Sequence, residues 1–399
     1  MRLYPIVLLM AALHAYVGWR VVPGLGAYPL GQWLLVALLV LSPALIPLGV
    51  LGGRVVRQPW ADRVSWVGLL LMGLFSSLFV LTLVRDVALA LLWLADVLVP
   101  LAWPRGAISV ATAEAVPVLA LLVTAIGFLN ARRTPALVRV DIPIKSLPAA
   151  LHGFTMAQIS DVHIGPTIKR AYLQRIVDKV NSVQPDMVAI TGDLVDGRVS
   201  DLAAQVAPLA GLVSRHGTFF VTGNHEYYSG AHAWIRELRS LGLTVLMNEH
   251  VVLHHGSVTR NGINSRPEAQ DDLLDVAPLV LAGVTDYNAH QFDPSHKSDP
   301  QAALEGAPPF APVRVLLAHQ PRSAEAAAKA GFDLQLSGHT HGGQFFPWNH
   351  FVRFQQPFTA GLHKLQELWV YTSRGTGYWG PPKRFGAPSE ITVLRLVTA

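Results

Sequence analysis

The chain has 399 residues, of which 51% are hydrophobic and only 14% are charged. The charged share is about half of that usual for globular proteins, which excludes a disordered or fibrous protein and argues against a wholly soluble one. Cysteine is absent, which excludes disulfide frameworks, thiolate metal sites and cysteine nucleophiles.

The net charge of +5 is spread unevenly along the chain. Residues 1–130 contain seven arginines, no lysine and four acidic residues, whereas residues 131–399 contain 24 basic and 22 acidic residues. The second part is therefore close to neutral and shows no basic stripe, so we expect no nucleic-acid partner.

The first 130 residues predict a bundle of transmembrane helices, because a span needs about 20 apolar residues to cross the hydrocarbon core. Residues 87–103 form a further apolar run of marginal length, separated from the preceding span only by Arg85 and Asp86. We interpret this run as an interfacial or partly buried helix, and the alternative is a fifth span. The four predicted spans are residues 3–22, 30–51, 64–84 and 108–129.

The arginine distribution predicts the orientation of the spans in the membrane. With four spans and the N-terminus inside, six arginines lie on the inner side, and Arg20, Arg85 and Arg105 lie on the outer side. We therefore expect an integral, multi-pass protein of the inner or cell membrane whose second half lies in the cytoplasm. A fifth span would reverse this orientation.

Residues 131–152 are predicted to link the bundle to a second domain over residues 153–399. Within this linker, Leu137–Ile142 alternates in hydropathy like a strand, and we expect Pro143 and Pro148 to break it. Beyond the linker, strand-like runs alternate with helical patterns, as in α/β or layered α+β folds. The strand candidates are residues 155–159, 187–191, 217–222, 279–284, 313–318, 334–337, 368–372 and 391–397. The helix candidates are residues 169–182, 199–215, 231–241 and 322–330.

Short polar clusters follow five of these strand candidates. Strand ends are where α/β folds place ligand sites, and adjoining glycines allow tight turns and close backbone approach. The clusters are Ser160–His163, Thr191–Asp196, Thr222–Glu226, His319 and Ser337–Gln344.

The side chains in these clusters suit metal ions. Asp161 and His163 lie two residues apart, so in an extended segment both would project to the same side and grip one ion. Imidazole together with carboxylate suits Zn, Mn or Fe and argues against Ca or Mg alone. A carboxylate such as Asp193 can bridge two ions, which would clamp the attacking and leaving oxygens of a phosphoryl group.

The motifs Asp-x-His, Gly-Asp-x-x-Asp, Gly-Asn-His-Glu, a lone His and Gly-His-Thr-His occur in that order over Asp161–His341. This pattern resembles the calcineurin-like metallophosphoesterase superfamily. The closing segment, with Ser373–Gly377 and Pro388–Glu390, resembles a membrane-associated bacterial branch that includes the transmembrane metallophosphoesterase-domain proteins. The resemblance covers roughly residues 137–399.

The resemblance implies a fold and a set of site residues. The fold would be an α/β (α+β) sandwich of two mixed sheets flanked by helices, following the N-terminal all-α transmembrane bundle. Two divalent ions, Mn, Fe or Zn, would act as cofactors, and a metal-bound hydroxide would attack phosphorus. The ligands of the first ion would be Asp161, His163, Asp193 and His341, and those of the second would be Asp193, Asn224, His319 and His339.

Other residues receive roles from the same resemblance. His225 would contact the phosphate and protonate the leaving oxygen, and Asp196 would orient its ring. Glu226 stands where many members carry Asp, and we expect it to support the ligands from behind. Arg374, Arg384 and Gln344 are candidates for substrate binding. The alternative is a surface salt bridge for each arginine, and for Gln344 a hydrogen bond that supports the ligands.

The predicted function is a membrane-anchored dimetal phosphoesterase that cleaves a phosphodiester or pyrophosphate bond. The membrane anchor and the near-neutral second half make a lipid-linked substrate a candidate, with membrane lipid as a partner. The alternatives are a phosphomonoesterase or protein phosphatase, because the same metal clamp serves both reactions, and a non-catalytic membrane scaffold or transporter. The sequence predicts no oligomeric state.

Overall fold

The computed structural model describes residues 4–99, 103–257 and 275–399. Residue 3 of the first predicted span and residues 100–102 of the marginal apolar run lie outside the described residues. The chain divides into two units. The helical unit comprises Met1–Arg133 with Gly380–Phe385, and the sandwich unit comprises Thr134–Trp379 with Gly386–Ala399.

In its described residues, the helical unit contains four long helices, each long and apolar enough to cross a membrane. Three of them extend past both ends of the predicted spans, because the residues that flank these spans are also helical. The helices are α1 (Tyr4–Val21), α2 (Pro29–Val55), α3 (Trp60–Leu98) and α4 (Arg105–Arg132).

Helix α3 runs without interruption through the predicted boundary at Arg85 and Asp86. The interpretation of residues 87–103 as a separate interfacial helix is therefore wrong. The physical reason is charge pairing: Arg20 Nε lies 2.8 Å from Asp86 Oδ2, and Arg85 Nη1 lies 3.0 Å from Asp86 Oδ1. Paired charges are tolerated inside a helical bundle, so they do not end the helix.

Small residues let α2 and α3 pack closely. A Cβ atom added to Gly68 would lie 2.4 Å from the Leu45 carbonyl oxygen and 2.6 Å from Gly49 Cα. A Cβ atom on Gly52 would meet Ser65 Oγ at 2.6 Å. Close backbone approach through small residues is how helices associate in lipid, where the hydrophobic effect does not drive them together.

The sandwich unit is built from two mixed sheets with flanking helices, which confirms the predicted fold class. Its strands are β1 (Ala136–Ile144), β2 (Thr155–Ile159), β3 (Met187–Ile190), β4 (Thr218–Phe220), β5 (Thr244–Val245), β6 (Glu249–Ser257), β7 (Asp275–Gly283), β8 (Val313–Leu317), β9 (Leu334–Ser337), β10 (Gly361–Leu365), β11 (Leu368–Thr372) and β12 (Glu390–Thr398). Its helices are α5 (Arg170–Asn181), α6 (Val199–Val206), α7 (Asn224–Ser229), α8 (Ala231–Ser240) and α9 (Ala324–Ala330).

The two sheets each hold six strands, in the orders β1-β12-β2-β3-β4-β5 and β10-β11-β9-β8-β7-β6. Strands β2, β3 and β4 are parallel neighbours in the first sheet, and β8 and β9 are parallel neighbours in the second. All four residues of β3 are buried, as expected for a parallel strand covered on both faces. Apolar side chains such as Met156, Met187, Leu279 and Leu336 form the core.

Strand β1 falls inside the predicted linker and continues through Pro143, which was expected to break it. It is an edge strand that pairs only with β12 among the described strands. Edge strands tolerate proline because one side needs no backbone donor. The polar edge strand β6 and the short elements β5, β10 and α7 were not among the predicted elements, because they lack an apolar run long enough to show a period.

We predict that Gly68→Ala destabilises the helical unit by about 1–3 kcal/mol, because the new methyl group overpacks the α2–α3 contact. Gly106→Ala is the matched control, since a Cβ atom there meets nothing within 4 Å. The measurement is the thermal unfolding midpoint of each detergent-solubilised variant. Equal midpoints for the two variants would contradict the proposed close packing.

Candidate metal centre

The five polar clusters follow β2, β3, β4, β8 and β9, so the parallel arrangement brings them to one end of the sandwich unit. Three groups of potential metal ligands form there among the described residues. Two share no member, and the third, His163, Asp193 and His225, takes one residue from each of them and adds His225. In each group, one ligand atom from every residue lies within 4.8 Å of the others.

The first group contains Asp161, His163 and His341. The Nε2 atoms of His163 and His341 lie 3.0 Å apart, and His341 Nε2 lies 3.5 Å from Asp161 Oδ1. All three side chains are buried or nearly so. Ligand atoms held about 2.0–2.2 Å from one ion have such mutual separations, so this group fits a divalent cation.

The second group contains Asp193, His319 and His339. His319 Nε2 lies 3.2 Å from both Asp193 Oδ2 and His339 Nδ1. Asp193 Oδ2 also lies 3.9 Å from His163 Nε2, which belongs to the first group. The geometry therefore puts one carboxylate oxygen between the two groups, where a bridging ligand would have to be.

Asn224 is the seventh predicted metal ligand and lies at the start of α7. Its Oδ1 atom is buried and, among the described residues, has no hydrogen-bond partner. Leaving a buried acceptor unpaired costs about 1–3 kcal/mol, and a metal ion would satisfy it. The structure thus groups six of the seven predicted metal ligands, and Asn224 directly precedes His225, whose backbone N–H donates to Asp193 Oδ1 at 2.8 Å.

The ligand loops have a left-handed backbone at several non-glycine residues. The φ angles are 54° at Asp161, 55° at His163, 51° at Asp193, 68° at His339 and 51° at His341. The expectation that Asp161 and His163 lie in an extended segment is therefore wrong: the tight turns, and not strand geometry, aim their side chains. Such residues cost of order 1–3 kcal/mol each, which the rest of the fold offsets.

Asp196 contacts two histidines. Its Oδ1 lies 2.6 Å from His225 Nδ1 and 2.9 Å from His163 Nδ1. These contacts hold both rings with Nε2 directed away from Asp196, as a carboxylate behind a metal-ligating histidine does. Burial alone would raise the pKa of Asp196, but the two histidines hold it below its usual value.

His225 lies at the edge of both groups, with Nε2 4.0 Å from Asp193 Oδ2. Burial alone would lower the pKa of His225, but the carboxylates of Asp193 and Asp196 raise it to about 9. The two carboxylates thus favour the protonated form of the ring. The exposed aromatic rings of Tyr228 and Trp379 flank it at centroid distances of 5.2 and 5.8 Å.

Glu226 supports the centre from behind, as the sequence led us to expect. Its carboxylate accepts hydrogen bonds from the backbone N–H groups of Asp193, Leu194 and Gly223, at 3.0, 2.8 and 2.6 Å. These bonds fasten the loop after β3 to the start of α7. Burial and the Asp193 carboxylate raise the pKa of Glu226 to about 8, while the N–H donors oppose that shift.

The three substrate-binding candidates occupy different surroundings. Gln344 donates to the backbone carbonyl of Trp379 at 2.9 Å and accepts from its N–H at 2.8 Å, so it positions the ring that flanks His225. Arg374 forms an ion pair of 2.8 Å with Glu390. Arg384 belongs to the segment Gly380–Phe385 of the helical unit, where its N–H donates to the Gly127 carbonyl.

Two supporting groups were not found by reasoning from the sequence. The Thr191 carbonyl lies 2.7 Å from His319 Nδ1 and thereby leaves Nε2 of that ring available as a ligand. Ser160 Oγ donates to Asp161 Oδ2 at 2.6 Å. A main-chain acceptor has no sequence signal of its own. Ser160 directly precedes a predicted ligand, and that adjacency was the one available signal.

Comparison with known proteins gives a consistent result. The family model of the calcineurin-like phosphoesterases matches residues 154–343. A "transmembrane protein with metallophosphoesterase domain" from Danio rerio is 40% identical over 291 residues, which cover 71% of this chain and 63% of the relative. The chain therefore spans less than two thirds of the length of that relative.

Two bacterial proteins described as uncharacterized metallophosphoesterases are also similar. The one from Helicobacter pylori is 37% identical over 273 residues, covering 68% of this chain and 66% of the relative. The one from Aquifex aeolicus is 30% identical over 239 residues, covering 59% of this chain and 82% of the relative. Because the relatives are both vertebrate and bacterial, they support the family and not the narrower assignment to a bacterial branch.

The chain belongs to the calcineurin-like metallophosphoesterase family, which implies a metal-dependent phosphoester hydrolase.

Proposed function

We propose that this protein is a membrane-anchored dimetal phosphoesterase that hydrolyses a phosphodiester or pyrophosphate bond in a lipid-linked substrate. The observation that carries the proposal is the pairing of two ligand groups around Asp193 Oδ2. The buried Oδ1 of Asn224, which has no partner among the described residues and precedes His225 in the chain, supports it. A divalent ion pair bound there would neutralise phosphoryl oxygens and activate a water molecule.

The chain itself supplies the proton for the leaving group. Asp196 accepts a hydrogen bond from His225 Nδ1, so Nε2 points toward Asp193 and the substrate. From this position the imidazolium donates its Nε2 proton to the departing oxygen, which is general acid catalysis. Asp196 and Gln344 act as positioning residues, because they hold His225 and Trp379 in place.

A group of exposed aromatic residues in the sandwich unit supports a lipid-linked substrate. We call residues 346–354 the aromatic loop; it begins five residues after His341. Phe346, Trp348, Phe351 and Phe354 are all largely exposed, and Phe354 is 74% exposed. Contiguous exposed aromatic surface is unfavourable in water and is common where a protein meets a membrane interface.

The orientation of the membrane anchor is also part of the proposal. Arg20 and Arg85, two of the three arginines of the outer side, are both paired with Asp86. The inner side has six arginines against these two and Arg105. This bias supports a multi-pass anchor with the sandwich unit in the cytoplasm.

We expect detergent-purified protein to hydrolyse bis-p-nitrophenyl phosphate with added Mn²⁺ and to stop when a chelator is added. Asn224→Ala should lower the activity by at least ~10–100-fold, because removal of a group that only supports a metal ligand already costs that much. His363→Ala, which changes an exposed histidine, is the control. Hydrolysis of p-nitrophenyl phosphate, a monoester, at a higher kcat/KM than the diester would favour the phosphomonoesterase alternative instead.

We expect His225→Ala to lower kcat by about 10²–10⁴-fold for phenyl diesters, the usual contribution of a general acid. The loss should be much smaller for p-nitrophenyl diesters, because p-nitrophenolate departs without a proton. The measurement is kcat for both substrates with wild type and variant. An equal loss for both leaving groups would show that His225 does not act as the acid.

We expect the double substitution Phe351→Ser and Phe354→Ser to lower kcat/KM for a lipid-linked diester in vesicles by about tenfold. Burial of one phenyl ring is worth ~1.5–3 kcal/mol, and tenfold corresponds to about 1.4 kcal/mol. Hydrolysis of a soluble diester should stay unchanged. Phe310→Ser is the matched control, because this exposed phenylalanine lies outside the aromatic loop. Equal effects of the two changes would argue against a lipid-linked substrate.

A further inference from the structure

We propose that His232, Asp293 and His296 form a third metal site, separate from the paired groups at the strand ends, which takes Zn²⁺ or a similar transition-metal ion. One ligand atom from each residue lies within 4.8 Å of the others. His232 is on α8, whereas Asp293 and His296 are on the segment after β7. An ion held by these three residues would tie two distant parts of the chain together.

The carboxylate of Asp293 is oriented for this role. Its Oδ1 accepts hydrogen bonds from Ser295 N and Oγ at 2.9 and 2.6 Å. Its Oδ2 is directed toward the two histidines, 2.9 Å from His232 Nε2 and 3.9 Å from His296 Nε2. The Ser295 hydrogen bonds lower the pKa of Asp293, and a metal-ligating carboxylate must be deprotonated.

His296 is held from behind by Tyr227. The Tyr227 hydroxyl oxygen lies 2.9 Å from His296 Nδ1, which leaves Nε2 facing Asp293. With an ion on Nε2, the Nδ1–H group donates to that hydroxyl oxygen. Metal-ligating histidines almost always use their second nitrogen in this way. Burial lowers the pKa of His296, which favours the neutral imidazole that binds metal.

The ligand set identifies the class of ion. Two imidazoles and one carboxylate suit Zn, Co, Ni or Cu, whereas Ca and Mg prefer sites made of oxygen atoms. His232 is 64% exposed at its side chain, so water can fill the remaining coordination positions. An exposed site of three protein ligands exchanges its ion with solution.

The third site lies against the helix that carries two residues of the catalytic centre. Tyr227 is on α7, three residues after Asn224 and two after His225. Phe292, which precedes Asp293, packs on Tyr227 and Tyr228 at centroid distances of 5.7 and 5.5 Å. An ion at the third site would therefore hold Phe292 against Tyr227 and Tyr228. Tyr228 in turn flanks His225.

The test counts zinc ions in the full, detergent-solubilised chain. Protein is dialysed to equilibrium against Zn²⁺, and the zinc-to-protein ratio is measured by plasma mass spectrometry. Wild type should hold one ion per chain more than His232→Ala or Asp293→Asn. His290→Ala, which changes an exposed histidine between these residues, should match wild type. The expected difference between wild type and each variant is one zinc ion per chain, whatever number of ions the catalytic groups hold. A failure of the third site can therefore be distinguished from a failure of the proposed function.

A graded variant tests the role of Tyr227. Tyr227→Phe should keep the stoichiometry of wild type but weaken zinc binding at the third site by about 10–100-fold, as measured by titration calorimetry. Circular dichroism verifies that each variant is folded, and the exposed position of His232 makes its substitution the least disruptive. Equal zinc content in wild type, His232→Ala and Asp293→Asn would overturn the proposal.

Discussion

Negative charge held out of water is the constraint on which the rest of the sandwich unit depends. The carboxylates of Asp161 and Asp193 are each at most 2% exposed. Removing a carboxylate from water costs several kcal/mol unless it is paired. Their partners in the structure are imidazoles and backbone N–H groups. Divalent cations would complete the balance of charge, so ion binding and folding are coupled at this end of the unit.

The local backbone follows from that constraint. Gly223 and Gly338 approach the carboxylates so closely that a Cβ atom on either would lie inside van der Waals contact of Asp193 or Asp161. Glycine at these positions lets neighbouring N–H groups reach the buried oxygens. The two glycines thus allow hydrogen bonds to the buried carboxylates as well as tight turns. The dipeptides Gly-Asn and Gly-His alone do not reveal the first of these roles.

Much of this architecture could be predicted from residue patterns. Strands β2, β9 and β11 have the predicted bounds because each is a short apolar run between clear breakers. The ligand residues could be found because aspartate and histidine recur after strands at spacings that suit metal ions. Their grouping around Asp193 could not be derived from spacing alone, since it depends on which strands are neighbours in each sheet.

Other features depend on contacts between residues far apart in sequence. The continuity of α3 depends on the pairing of Asp86 with Arg20, 66 residues away. The role of Gln344 depends on the backbone of Trp379, 35 residues away. The third ligand cluster joins His232 to Asp293, 61 residues away. In each case the local pattern allows several outcomes, and only the tertiary partner decides between them.

The grouping of Gly380–Phe385 with the helices has a consequence for how the protein can be divided. Within this segment, Lys383 and Arg384 are at most 2% exposed, and Lys383 Nζ donates to the Gly73 carbonyl of α3 at 3.1 Å. A chain cut at residue 133 would leave a cationic segment stripped of the helices that bury it. That segment directly follows Trp379 in the sequence, so the two units alternate along the chain.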